Sequence, residues 1–358
     1  MICFNPYRSR LAGLFIKVVL LLVFVCGKNL QAQDVHYSQF YSNPLGLNPG
    51  LTGFYDGNYR IGFNAKLQWP WAISNSVYNY HSESPYVDFS FGERRIKVGW
   101  FGLGANFLND QAGDGRLTYR RIGLSAAYHQ AFDKDHRYVL SAGVGLNYVI
   151  RSIDFAKLYF NNQWVEDIGF DLNANNSEPL QRETFGFVDL NAGINFNAFV
   201  HEQVKLEASF ALLHINRPKH TFLGTTERLG FRYQANLGLT GYFNERTQLA
   251  VNAYYGYEKK ASEIMLNMLF GYSFFGGRRG ELDHTLYGGL NYRIKDALAP
   301  VVGYQFQKTR ILLSYDVTLS KLINASKANG GPEISIVHVG SFTRQFGGRK
   351  VFCPSFKR

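Results

Sequence analysis

The histidines and acidic residues are the first places to look for chemistry. His129, His136 and His201 are scattered along the chain, and His214 and His220 flank the stretch "INRPK". Metal ligation needs two or three such side chains at ligand spacing, so they read as ordinary strand and loop residues. The stretch "NDQAGDG" (109–115) offers Asp110 and Asp114 among glycines, a composition that can hold calcium. It lacks the full ligand ladder of a calcium loop, and an ordinary turn is the better reading. No HExxH, GxSxG, Walker loop or CxxC pair is present. A hydrolase would need a Ser/His pair in register on neighbouring strands at an outer rim, and none stands out. The expectation is a chain that is not an enzyme and carries no cofactor or metal.

Any such residues would have to be positioned by the body of the chain, and the N-terminus says where that body goes. Residues 1–32 carry Arg8, Arg10 and Lys17, then the apolar run "VVLLLVFVC" (18–26), then "GKNLQA", ending on the small Ala32. This is the pattern of a secretory signal peptide cleaved after Ala32; the apolar run is too short to span a bilayer as a helix, which takes roughly 20 residues. Cleavage removes Cys3 and Cys26, leaving Cys353 without an internal disulfide partner. It also removes Arg8, Arg10, Lys17 and Lys28 and no acidic residue, lowering the formal net charge from +11 to +7. That charge suits anionic lipid or acidic partners, and export argues against nucleic acid.

Beyond the leader no stretch approaches 18 consecutive apolar residues, which excludes helical spans. Period-two alternation recurs instead. In "YVLSAGVGLNYVIR" one side carries Tyr138, Leu140, Ala142, Val144, Leu146, Tyr148 and Ile150, and the other Ser141, Gly143, Gly145, Asn147 and Arg151. In "GFRYQANLGLTGY", Phe231, Tyr233, Ala235, Leu237 and Leu239 oppose Arg232, Gln234, Asn236, Gly238 and Thr240; "TQLAVNAYYGY" repeats the scheme. Such segments are longer than the usual strand of about 5–6 residues, and Tyr and Phe gather near their ends, where membrane girdles lie. Because a bilayer leaves no backbone group unpaired, strands of this kind must close on themselves. The predicted fold is all-β: a transmembrane antiparallel β-barrel of about fourteen strands in the outer membrane.

The fourteen candidate strands are 57–67, 76–84, 95–107, 117–131, 138–151, 187–200, 203–213, 230–242, 247–258, 262–274, 284–293, 299–307, 310–318 and 333–343. Connections after even strands are mostly brief ("DKDHR", "HEQ", "NER", "QKT"), and those after odd strands are often long, notably 152–186 and 214–229, with "EKKA" and "IKDAL" as short exceptions. Bacterial barrels keep short turns in the periplasm, so both termini are expected there. The division is signal peptide 1–32, periplasmic lead-in 33–56, barrel 57–343 and periplasmic tail 344–358. The lead-in contains "HYSQFYSNPLGLNPGLTG" (36–53), in which Asn43-Pro44 and Asn48-Pro49 mark two turns and forbid a continuous strand. It is expected at the periplasmic mouth, either plugging the barrel or meeting a partner.

These stretches also carry a likeness. "SQFYSNPLGLNPGLTG" with "YRIGFNAKLQWP" (59–70) resembles the start of the PorP/SprF family of type IX secretion system membrane proteins of the Bacteroidetes. Later echoes are "GLGANFLNDQAGDG" (102–115), "LHINRP" (213–218), "LLSYDVTLSKL" (312–322), "GGPEISI" (330–336) and the closing "CPSF" (353–356), after which Lys357 and Arg358 extend past the family's usual terminal Phe. The resemblance implies an outer-membrane component of that machinery, supporting secretion or surface attachment of a large exported protein such as a gliding adhesin, and associating with periplasmic-side components. Phe160, Trp164 and Phe170, in the long outer loop, are the candidate cargo contacts, since exposed aromatics anchor interfaces. Arg278 and Arg279, in "FGGRRGE" (275–281), are the candidates for a periplasmic contact. A hydrophobic-solute transporter of the fatty-acid type is the alternative. It calls for an N-terminal plug and a greasy internal path, whereas the inward faces read here are mostly Gly, Ser, Asn, Gln and Arg.

Overall fold

Alternation of apolar and polar residues gives each strand one face that belongs in lipid and one that does not, and the sheet satisfies both by closing. The computed structural model describes residues 37–70, 80–92, 98–133, 135–167, 169–171, 183–201, 203–222, 226–274 and 284–342. The barrel strands are β1 (Tyr59–Leu67), β2 (His81–Phe91), β3 (Gly99–Ala112), β4 (Leu117–Ala131), β5 (Tyr138–Ser152), β8 (Thr184–His201), β9 (Val204–Leu213), β10 (Arg232–Tyr242), β11 (Thr247–Glu258), β12 (Ala261–Phe274), β13 (His284–Arg293), β14 (Ala297–Phe306), β15 (Thr309–Thr318) and β16 (Asn329–Gly340). Two short strands, β6 (Trp164–Val165) and β7 (Gly169–Phe170), form a separate hairpin in the loop after β5. Every barrel strand pairs antiparallel with its sequence neighbours, and β1 closes on β16, so no edge is left open.

The face assignments follow the sequence pattern. Along β5, Tyr138, Leu140, Val144, Leu146 and Tyr148 point outward and are exposed, while Val139, Ser141, Gly143, Gly145, Asn147 and Val149 point inward and are buried. Outward aromatics gather toward the strand ends: Phe91, Phe101, Tyr138, Tyr272 and Phe306 at the end where β1 begins, here the near end, and Tyr148, Tyr233 and Tyr257 toward the far end. The long connections 153–183 and 214–231 lie at the far end, and the shortest near-end turns are 202–203 and 307–308.

The second strand is the one whose position differs most from expectation. It lies at His81–Phe91 rather than 76–84, and it carries Pro85 in its interior. Pairing with β3 runs from Glu83↔Asn109 to Tyr86↔Asn106 and omits the two positions between, so the proline interrupts the ladder on one side only. Phe63↔Pro85 remains in register on the β1 side. Pro300 does the same in β14, where pairing with β15 passes from Leu298↔Val317 to Val301↔Ser314. Proline disfavours a strand locally, and the long flanking ladders override that preference.

Candidate functional site

The lead-in does not stop at a mouth of the barrel. It runs inside the lumen, from a far-end anchor at Ser38 and Gln39 to a near-end anchor at Gly53 and Phe54, before turning into β1. Its two Asn-Pro pairs build the path. Asn43 caps the helical turn Pro44–Leu47, its side chain accepting from the Gly46 N–H, and donates to Ser84 Oγ at 2.9 Å. Asn48 caps the turn Pro49–Leu51 by accepting from the Gly50 N–H at 2.7 Å. In each pair proline occupies the first turn, where its missing N–H costs nothing. The remaining Asn48 amide donates to the carbonyls of Ile194 (2.9 Å) and Phe210 (3.2 Å), fastening the plug to β8 and β9.

Inward glycines make the room. A Cβ on Gly193 would lie 1.9 Å from Asn48 Oδ1, one on Gly143 would lie 2.4 Å from the Pro49 carbonyl, and one on Gly102 would lie 2.0 Å from the Thr52 carbonyl. The small, polar inward face seen in the sequence is therefore the imprint of a segment of the same chain. Ser38, Gln39, Ser42, Asn43, Asn48 and Thr52 are all buried, and two cavities beside the plug measure only about 60 and 10 Å³.

Charge holds both ends. At the far end the N–H groups of Ser38 and Gln39 donate to the two carboxylate oxygens of Glu333, each at 2.8 Å. Ser38 Oγ donates to Asp316 at 2.7 Å, and Asp316 also receives Lys66 Nζ at 2.9 Å and Arg293 Nη2 at 3.2 Å. Arg293 pairs with Asp296 as well. At the near end Arg60 makes a two-pronged pair with Asp88 at 2.9 and 2.7 Å and donates to the Leu51 carbonyl at 3.2 Å. Asp88 in turn accepts from the Gly53 N–H at 2.7 Å. Burying such pairs costs hydration, and the further hydrogen bonds to the Leu51 carbonyl and from Gly53 and Ser38 offset part of that cost.

A Ser/His pair in register does exist, in the near half of the lumen rather than at an outer rim. His129 Nδ1 lies 2.7 Å from Ser141 Oγ and Nε2 lies 2.8 Å from the Thr52 carbonyl. A carbonyl can only accept, so Nε2 carries the proton and Nδ1 accepts from the serine hydroxyl. With both side chains fully buried and a plug carbonyl where a triad would place its acid, the arrangement is a latch on Thr52. Trp100, stacked on His129 at 4.8 Å between ring centres, adds a donor to the Gly53 carbonyl at 3.1 Å. Asp110 accepts from Ser82 Oγ at 2.6 Å, and among the described residues no three His, Cys, Asp or Glu side chains converge as metal ligands would.

The sequence-predicted contact residues lie elsewhere. Trp164 and Phe170 face each other edge-on across the β6–β7 hairpin at 4.9 Å, and Tyr159 joins Phe170 at 5.2 Å. Trp164 is 59% exposed and Phe170 44%, so the hairpin projects rather than folding into the lumen; Phe160 sits half-buried at its base, where its N–H donates to Gln163. Arg278 and Arg279 lie outside the described residues, as does the tail from 343 onward. The lumen-facing Arg232 and Arg151 reach Glu258 at 3.8 Å and His220, respectively. Sequence reasoning missed Asp88, Asp316 and Glu333, whose signal was their inward parity on otherwise small or polar faces.

Comparison with solved structures places the fold among outer-membrane barrels. The chain is similar to the CymD monoaromatic hydrocarbon channel at 10% identity, over 85% of this chain and 94% of that one, with a TM-score of 0.50. It is also similar to the Pseudomonas putida toluene transporter TodX (13% identity, 82% and 92% covered, TM-score 0.46) and to a Pseudomonas aeruginosa FadL homologue (11%, 81% and 92%, TM-score 0.46). No curated protein matches it. A family model described as "Type IX secretion system membrane protein PorP/SprF" matches residues 29–337.

Proposed function

The chain belongs to the PorP/SprF family of type IX secretion system membrane proteins, and on that premise we propose that it is a noncatalytic outer-membrane component supporting secretion or surface attachment of one cognate large exported protein, of the kind a gliding adhesin represents. The observation that carries the reading is the filled lumen. A barrel occupied along its depth by its own N-terminal segment offers no path for a polypeptide through its centre, so its contribution to export is made from its ends. The far end presents the Tyr159, Trp164 and Phe170 cluster to the outside, a compact set of exposed aromatics suited to gripping cargo. The near end faces the periplasm, where Arg278 and Arg279 are the proposed contact for other components of the machinery.

Replacing Trp164 and Phe170 together by Ala is expected to leave the barrel folded, because neither residue belongs to its ladders, while surface display of the cognate protein falls sharply. Surface proteolysis or labelling of intact cells gives the measurement. A strain lacking the whole protein that still displays its full set of large surface proteins would overturn the role itself. A second reading, transport of a hydrophobic solute, gains one point from the N-terminal plug, which such a transporter requires. The polar inward face argues against the greasy path it also requires, and solute uptake into vesicles carrying the purified barrel separates the two.

A further inference from the structure

The lumen cations are matched with carboxylates almost wherever they occur: Arg60 with Asp88, Lys66 and Arg293 with Asp316, and Arg232 with Glu258. Arg121 departs from this. It points inward from β4, is half-buried, and makes no hydrogen bond or ion pair among the described residues; its buried Nε has no acceptor. It also lines both cavities beside the plug. In the larger, of about 60 Å³, it is joined by Tyr37, Phe40, Leu108, Arg232 and Met265. Tyr37 is 6% exposed, and its hydroxyl likewise has no partner. A phenol is protonated at neutral pH, so that hydroxyl can donate.

A guanidinium and a phenol hydroxyl without acceptors, beside apolar side chains, leave the pocket with donors to spare. We infer that this cavity is a binding site for a short-chain carboxylate, its carboxylate held by Arg121 and the Tyr37 hydroxyl and its apolar end against Phe40, Leu108 and Met265. At about 60 Å³ the cavity is well below the roughly 150 Å³ that takes a benzene ring, which excludes butyrate and longer chains, and larger than the space of a single water, which leaves a two-carbon carboxylate. The carboxylates in electrostatic range of Tyr37 are Glu333, Asp110 and Glu83: Glu333 accepts from the plug amides, Asp110 accepts from Ser82, and Glu83 is exposed on the outward face of β2. The site does not depend on the secretion role, since it is built by the plug and the barrel wall alone.

Titration calorimetry of the folded, detergent-solubilised protein with acetate tests the inference, with acetamide and inorganic phosphate as comparison ligands. Saturable acetate binding is expected, and Arg121→Gln should weaken it by about ten- to a hundredfold, the worth of a charge-assisted hydrogen bond. Tyr37→Phe should weaken it less, and Arg310→Gln, on another inward wall, should leave it unchanged. Arg121→Gln removes no hydrogen bond or ion pair within the protein, so the variant is expected to fold, and retained heat-modifiable migration on gels checks this. Absence of saturable acetate binding, equal binding of acetamide, phosphate binding as tight as acetate, or an Arg121→Gln variant that binds like the wild type would each overturn the assignment.

Discussion

Asp316→Ala is expected to destabilise the folded barrel by about 3–5 kcal/mol, the cost of removing one partner from a buried ion pair. Asp316 is buried and is the acceptor for Lys66, for Arg293 and for the Ser38 hydroxyl. Deleting its carboxylate leaves Lys66 without the opposite charge 2.9 Å away, in a lumen wall where its side chain is 4% exposed. Arg293 keeps Asp296 and suffers less. Asp316→Asn preserves acceptance from Ser38 but not the charge, and so should fall between the variant and the wild type. Urea unfolding of the refolded protein in detergent gives the comparison. A loss below about 1 kcal/mol, the level of an exposed pair, would show that the cluster is hydrated and only weakly coupled to the plug.

Gly193→Val should have a different signature: the barrel stays closed on itself while the plug loses its seat. Position 193 lies inside β8, paired on both sides, to Gly143 of β5 and Ala211 of β9. Valine suits a strand at such a place, so the ladders are not the part that yields. The yielding part is Asn48, whose Oδ1 stands where the new Cβ must go and whose amide holds the plug to Ile194 and Phe210. Overpacking of this kind costs about 1–3 kcal/mol, and moving the plug relieves it. Planar-bilayer recordings should change from silent for the wild type to open events for the variant, with heat-modifiable migration retained in both. Deleting residues 37–53 supplies the unplugged reference. A silent Gly193→Val barrel of unchanged stability would mean that the plug accommodates the methyl groups in place.

Most of the barrel was legible because its determinants are local. The alternation in β4, β5, β11 and β13 repeats over ten or more residues, and those strands lie at Leu117–Ala131, Tyr138–Ser152, Thr247–Glu258 and His284–Arg293, within a residue of where the pattern puts them. β2 was misplaced because Pro85 speaks locally against a strand that its neighbours impose. The plug was half legible. Its Asn-Pro turns could be read, and so could the glycines across from them, but nothing along the chain says that one set fits into the other. Asp88, Asp316 and Glu333 looked like polar lumen residues, since an acidic side chain on an inward face has the same sequence signature whether it meets water or a backbone amide. The exposed Trp164 hairpin was legible only as an aromatic-rich loop; that it projects is a property of the folded chain.

The far-end anchor also sets an order of events. The amide of Gln39 and the carboxylate of Glu333 that receives it are 294 positions apart, so a segment synthesised ahead of all the described barrel strands takes its final place only when β16 is in position. Contacts of such long range are slow to form, because the entropy of closing the intervening chain is lost before they give anything back. Ring closure between β1 and β16 and the seating of the plug therefore belong to the same late step. A nascent barrel that closes without its N-terminal segment inside would strand that segment outside a sealed wall, which makes assembly itself a check on whether the protein reaches the membrane closed or leaking.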